Sequence, residues 1–166
     1  FYTCDLLFYR REHEGIHAIR ECTPVALREP LRRCWRHAAV AAYLADLTAR
    51  VSVGQQESLA FFSLLTQTLD RLASPQTSDL CLLLLWYETH LLRLLGLMPD
   101  LTICPHCHTP DRFWLRFSLP SGRFLCPHLA QSQPGESTLA LHRLVRDLFL
   151  DLNKQAVSAP LPEQVQ

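Results

Sequence analysis

The sequence predicts a mainly α-helical chain: a helical bundle carrying a small β-hairpin cysteine finger, with two β-strands ahead of it. Three observations predict this. Apolar residues recur at helical spacing over three long stretches between Pro30 and Leu95. From Cys104 to Leu129 the composition changes to cysteine, histidine, proline and aromatic residues. At the start, Phe1–Arg10 and Ile16–Cys22 are rich in β-favouring residues and are separated by the polar break Glu12-His13-Glu14-Gly15.

The first two stretches read as a β-hairpin, closed by Thr23-Pro24. Two strands alone are marginal in water, so they are expected to belong to a larger sheet. Pro30 suits an early helical position. Leu31, Cys34, Ala38, Ala41 and Ala45, with Trp35 and Ala42 beside them, then mark one helix from Pro30 to Val51, broken by Gly54. Leu59, Phe62, Leu65, Leu69 and Leu72 mark a second helix, stopped by Ser74-Pro75. A third runs from Ser78 to Leu95. It is apolar almost all round (Leu80, Leu82–Leu85, Trp86), so it is expected to be the central buried helix. Gly96 is its natural stop, backed by Pro99. Phe113–Ser118 and Arg123–Leu125 read as short strands around the turn Pro120-Ser121-Gly122. After a polar loop, Ser137 is placed to cap a last helix through Lys154, with Leu141, Leu144, Leu148 and Leu152 on one face. The tail 155–166 is expected to be disordered. The domain reading is thus a strand unit over 1–23, a helical domain over 24–154 with a finger insert at 104–129, and the tail.

With 48% apolar residues the chain can bury a core. Charged residues are only 19% and the formal net charge is zero, so any nucleic-acid surface must be a local patch. All but one of the 16 basic residues are arginine, Lys154 being the exception. Arginine forks suit phosphate, although a GC-rich genome favours arginine codons equally well. The longest apolar run, Leu80–Tyr87, is far short of the roughly 18 residues that a membrane span needs. The only methionine is Met98 and the chain opens in mid-strand, so an N-terminal part of the parent protein is expected to be missing. Four of the seven cysteines (Cys4, Cys22, Cys34, Cys81) lie in apolar or helical patterns, which suggests small hydrophobes in a reducing cytoplasm rather than a disulfide framework.

Chemistry concentrates in the finger. Cys104-Pro105-His106-Cys107 is a Cys-x-x-Cys knuckle, and Cys126 follows at the end of the predicted hairpin. This is one half of a zinc ribbon. The expected fourth position holds Leu129, so His128 is the nearest substitute. The candidate structural zinc set is therefore Cys104, Cys107, Cys126 and His128. The alternatives are a packed hairpin without metal and a redox dithiol, which would need a strand before the motif and a helix after it. No phosphate loop, nucleophile elbow or His-Glu-x-x-His motif is present. Glu88 and His90 lie two apart on a helix and point to different faces, so no catalytic residues are assigned.

The run Leu91-Leu92-Arg93-Leu94-Leu95-Gly96-Leu97-Met98-Pro99-Asp100-Leu101, leading into Cys104 and Cys107, resembles the RecO family. So does the hairpin signature Phe117-Ser118, Pro120-Ser121-Gly122, Leu125-Cys126. Phe8-Tyr9-Arg10-Arg11 and His17–Glu21 resemble the last two strands of that family's N-terminal OB barrel, and Ala42–Leu47 its first long helix. The resemblance implies a bacterial, cytoplasmic, nucleoid-associated mediator of DNA repair and recombination, without catalysis. It would bind single- and double-stranded DNA, anneal strands and help load RecA on strands coated by single-stranded DNA-binding protein (SSB). RecR and the SSB C-terminal tail would be its partners. Candidate DNA contacts are Arg10, Arg11 and Arg20 on the hairpin, Arg28, Arg32, Arg33 and Arg36 at the first helix, and Arg112, Arg116 and Arg123 on the finger. The SSB tail is expected in a slot between the first and third long helices, edged by Arg36, Arg50 or Arg93. The rival reading is a helical protein-interaction scaffold with a structural zinc finger and no DNA affinity of its own, which the zero net charge favours.

Overall fold

The computed structural model describes residues 1–9, 16–52, 58–75, 79–98, 116–126, 137–140 and 143–154. Its elements are β1 (Tyr2–Tyr9), β2 (Ala18–Leu27), α1 (Pro30–Arg33), α2 (Trp35–Val51), α3 (Ser58–Ala73), α4 (Leu80–Leu94), β3 (Arg116–Ser118), β4 (Arg123–Leu125), β5 (Thr138–Ala140) and α5 (Arg143–Lys154). The chain is mainly helical, as expected, with two small antiparallel sheets, β1-β2 and β4-β3-β5. It divides into two compact units, Phe1–Tyr87 and Glu88–Gln166, with the division falling inside α4.

In the first unit the β1–β2 ribbon runs further than the sequence suggested. Strand β2 continues through Thr23-Pro24 to Leu27, and Cys4 pairs with Pro24 beside a register shift at Thr3/Cys4. Proline is tolerated there because each strand of a two-stranded ribbon is an edge, and a bulge removes the need for its missing N–H. The ribbon's large apolar residues stay in solvent: Leu6, Leu7, Phe8, Tyr9 and Ile19 are each about half exposed or more.

The single helix expected over Pro30–Val51 is two. One turn, α1, ends at Cys34, whose backbone is extended (φ −125°, ψ 112°), and α2 starts at Trp35. The break has a consequence for periodicity: Trp35, read from spacing as part of the helical stripe, is 76% exposed. The core of this unit follows the 3.6-residue repeat within each helix. Ala41, Leu44 and Thr48 of α2, Phe61, Leu64, Thr68 and Leu72 of α3, and Leu83, Trp86 and Tyr87 of α4 are all buried. Each fully buried large apolar side chain contributes roughly 1.5–3 kcal/mol. The hydroxyls on these faces are satisfied locally: Thr68 donates to the Leu64 carbonyl (2.7 Å) and Thr48 to that of Leu44 (2.6 Å), while Thr48 and Tyr87 hydrogen-bond across α2 and α4. The Arg71 guanidinium lies 4.3 Å from the Trp86 ring centroid, and burial lowers its pKa.

Helix α4 is less uniformly buried than its composition suggested, with Cys81, Leu92 and Arg93 exposed. Its end is as expected. Gly96 takes a left-handed φ of 68°, the Gly96 N–H bonds to the Arg93 carbonyl and the Leu97 N–H to that of Leu92 (2.9 Å). Only glycine adopts that conformation without penalty. In the second unit β3 and β4 form the expected hairpin around Gly122 (φ 63°), whose N–H bonds to the Ser118 carbonyl (3.0 Å). Ser118 is buried, and its hydroxyl accepts from both the N–H and the hydroxyl of Ser121. The last helix does not begin at Ser137. Residues Thr138–Ala140 instead pair with β3, and the Ser137 carbonyl accepts from the Leu119 N–H. Without them β3 would expose an unpaired edge. Helix α5 follows, with Leu152 buried and Leu144 exposed.

Candidate nucleic-acid and partner-binding surface

The basic cluster at the head of the helices is built by the α1–α2 break. Pro30 starts α1 and places Arg32 and Arg33 in its only turn; Arg36 follows in the first turn of α2. All three are exposed. Between them the exposed Trp35 ring has the Arg36 guanidinium 5.6 Å from its centroid. Arg32 is partly tethered: it donates to the Tyr2 hydroxyl (3.2 Å), which in turn donates to Glu29 (3.1 Å). An open groove of about 420 Å³, lined by Phe1, Tyr2, Leu31, Arg32 and Ala38, adjoins the cluster. That lies at the low end of ligand-sized clefts.

Arg28 does not join this patch. Its side chain is 4% exposed. The guanidinium donates to Asp70 (2.7 Å), to the Thr3 hydroxyl (2.8 Å), and more weakly to the Phe1 and Thr66 carbonyls (both 3.4 Å). Arg28 therefore fastens the ribbon to α3, and its burial keeps it out of the exposed basic patch. Arg20 is exposed on β2, its guanidinium 6.0 Å from the Tyr9 ring centroid. Arg116 opens β3 and is exposed, and Arg123 opens β4, its backbone opposite Ser118. Arg10, Arg11 and Arg112 lie outside the described residues.

The slot expected between the first and third long helices is occupied where Thr48 meets Tyr87, since that contact is buried. Of its expected rim, Arg50 pairs with Asp46 on its own helix (2.7 Å), which raises the Arg50 pKa. Arg36 and Arg50 belong to the first unit, and the exposed Arg93 belongs to the second.

Of the four candidate zinc ligands, Cys104, Cys107 and His128 lie outside the described residues. Cys126 is fully buried at the end of β4. Among the described residues no group of three or more His, Cys, Asp or Glu side chains is gathered for a metal. Trp35 and the groove beside it were not legible as site features. A tryptophan flanked by Arg33 and Arg36 was the available signal, masked by its fit to the helical stripe.

The family described as Recombination protein O C terminal matches residues 33–163, most of the chain. The chain belongs to the RecO C-terminal family. Curated relatives agree. The DNA repair protein RecO of Bacillus cereus is 27% identical over 143 residues, covering 84% of this chain and 56% of the relative. That of Dehalococcoides mccartyi is 30% identical over 106 residues (63% and 41%), and that of Roseiflexus sp. is 34% identical over 117 (70% and 41%). The chain spans about half the length of the curated relatives it matches. The RecO region takes in Arg33, Trp35 and Arg36, the Gly96 helix stop and the β3–β4 hairpin.

Proposed function

We propose that this chain is the helical part of a DNA repair and recombination mediator, binding DNA and protein partners without catalysing a reaction on them. The observation that carries the reading is the exposed cluster Arg32, Arg33 and Arg36 around Trp35, most of it inside the RecO region. Guanidinium groups screen the repulsion between two phosphate backbones, and an exposed indole offers a face for an unpaired base. Together they suit the annealing of complementary strands. Loading of RecA on SSB-coated strands, and partnership with RecR, follow from the RecO assignment as part of the same proposal. So does a place in the bacterial cytoplasm with the nucleoid; no described helix is long and apolar enough to cross a membrane. The solvent-facing β1–β2 ribbon supports its reading as the last two strands of an OB barrel, since a lone ribbon leaves both faces and edges uncovered.

The groove beside Arg32 gives a second component. An acidic peptide with an apolar end needs an apolar slot with a cationic rim. Phe1, Tyr2, Leu31 and Ala38 supply the first, Arg32 the second. This suits the SSB tail better than the seam filled by Thr48 and Tyr87. A pure interaction scaffold would keep this groove and lack DNA affinity, a reading that the zero net charge favours. The finger is proposed to hold structural zinc through Cys104, Cys107, Cys126 and His128. The buried position of Cys126 at a strand end fits a closed, water-free site of that kind.

Annealing of complementary fluorescent oligonucleotides, bare and SSB-coated, tests the proposal. Acceleration over the spontaneous rate that falls with salt is expected. Unchanged rates together with retained binding of an SSB-tail peptide would leave the scaffold reading in its place.

A further inference from the structure

Two of the seven cysteines sit side by side on the β1–β2 ribbon. In its register Cys4 faces Pro24 and Leu6 faces Cys22. Alternate residues of a strand share a face, so both cysteines project from one face, on neighbouring rungs of opposite strands. Such diagonal neighbours are about 7–8 Å apart at the backbone and closer at Cβ, so closing a disulfide, which spans up to roughly 7 Å, requires a small backbone movement; the register shift at Thr3/Cys4 and the uncovered ribbon give room for it. Cys22 acts directly on the Cys4 side chain and, after burial, is the main cause that raises the Cys4 pKa. Neither is in a disulfide; Cys22 is exposed and Cys4 is half-buried. The other described cysteines are scattered: Cys34 between α1 and α2, Cys81 on α4 and Cys126 after β4.

We propose that Cys4 and Cys22 form a peroxide-responsive dithiol that closes into a reversible cross-strand disulfide. Exposed Cys22 meets the oxidant first. Its sulfur attacks the peroxide O–O bond and becomes a sulfenic acid, releasing one water. The Cys4 sulfur then attacks the Cys22 sulfur, forming the S–S bond and releasing the sulfenic oxygen as a second water. Two thiols and one hydrogen peroxide thus give one disulfide and two waters. Cys4 suits the second role. Desolvation, then the neighbouring Cys22 and Asp5, push its thiol up from the ordinary value, which lowers its own reactivity toward peroxide. Its attack on the Cys22 sulfenic acid is intramolecular, so closeness of the two sulfurs rather than thiolate character carries the closing step. Transient bonds of this kind are the usual form of disulfide in a reducing compartment. The bond would fix the register of a ribbon that carries Arg20 and leaves its apolar side chains in solvent, and a thiol reductant would release it.

Peptide mapping of the whole chain tests this. Folded protein is treated with hydrogen peroxide, blocked with an alkylating agent and digested with trypsin. The arginines isolate Cys4 on the peptide Phe1–Arg10 and Cys22 on Glu21–Arg28. The expected product is these two peptides joined, lighter than their sum by two hydrogens, and lost on adding reductant. Cys4→Ser should abolish it and leave Cys22 as a sulfenic acid captured by dimedone. Because that variant can be unstable, folded wild type is also compared with the urea-unfolded chain, where the yield of the joined peptides should fall severalfold. Equal yields in both states, accumulation of Cys22 sulfinic acid beside a reduced Cys4, or closure of other cysteine pairs alone would overturn the proposal.

Discussion

Arg28 was expected on a DNA surface and is instead the main polar tie between the ribbon and α3, so its removal should cost stability rather than affinity. Arg28→Ala deletes two short charged hydrogen bonds, to Asp70 at 2.7 Å and Thr3 at 2.8 Å, and two long ones at 3.4 Å. Hydrogen bonds to charged groups contribute roughly 1.5–3 kcal/mol each. The Asp70 side chain is 60% exposed, so water takes over its carboxylate when the arginine is gone and that bond counts near the lower figure. The long bonds add little. The loss works out at about 3 kcal/mol, or roughly 6–12 °C in Tm for a chain of this size. Urea unfolding followed by far-ultraviolet circular dichroism measures it. Arg28→Lys should recover little, because one ammonium cannot span four acceptors set in a fork. Arg32→Ala, whose side chain is 68% exposed, is the control and should stay within about 0.5 kcal/mol of wild type. An Arg28→Ala protein as stable as that control would refute the reasoning.

Burial raises the pKa of Tyr87 against the opposing pull of its Thr48 hydrogen bond. The neutral phenol therefore stabilises the fold: the benefit is complete below the unfolded value of about 10 and is lost as pH rises through the higher folded value. Unfolding free energies measured across that alkaline range should fall for wild type and fall less for Tyr87→Phe; parallel curves would contradict this. At neutral pH Tyr87→Phe should cost only about 1 kcal/mol, because Thr48 keeps its bond to Leu44. For the finger, protein expressed with added zinc should carry about one metal per chain, and Leu129→Cys should tighten its hold by completing the second Cys-x-x-Cys knuckle. Metal content near zero in both proteins would remove the zinc proposal.

The sequence carried the fold class well because its helices are strongly periodic and their ends are chemically marked. The α4 stop at Gly96 and the β3–β4 turn at Gly122 were legible because both need the left-handed backbone that glycine supplies. What was not legible depends on contacts distant in the chain. Nothing local in Glu29–Arg36 reports that Cys34 is extended, yet that single residue turns Trp35 out to solvent. Nothing near Arg28 reports that Thr3 and Asp70 wait for it, 25 and 42 residues away. The strand β5 was hidden because three residues carry little periodicity, and its reason for forming is the free edge of β3. Of the basic candidates, Arg32, Arg33 and Arg36 could be grouped from sequence because they are neighbours on the chain, whereas membership of Arg28 could be decided only by burial.

The central claim is that the arginines at the head of the helices hold nucleic acid, and the salt dependence of oligonucleotide binding tests it most directly. Fluorescence anisotropy of a labelled single strand is measured from low salt to a few hundred millimolar, for wild type and for the protein with Arg32, Arg33 and Arg36 all replaced by alanine. Alanine is the best helix former, so α1 and α2 should persist, as circular dichroism checks. On single strands each neutralised phosphate adds about 0.7 to the slope of log affinity against log salt, so removing three contacts should weaken low-salt binding and flatten the slope by about 2. Wild-type binding that does not change with salt, or a folded triple variant that binds with wild-type affinity and slope, would contradict the account.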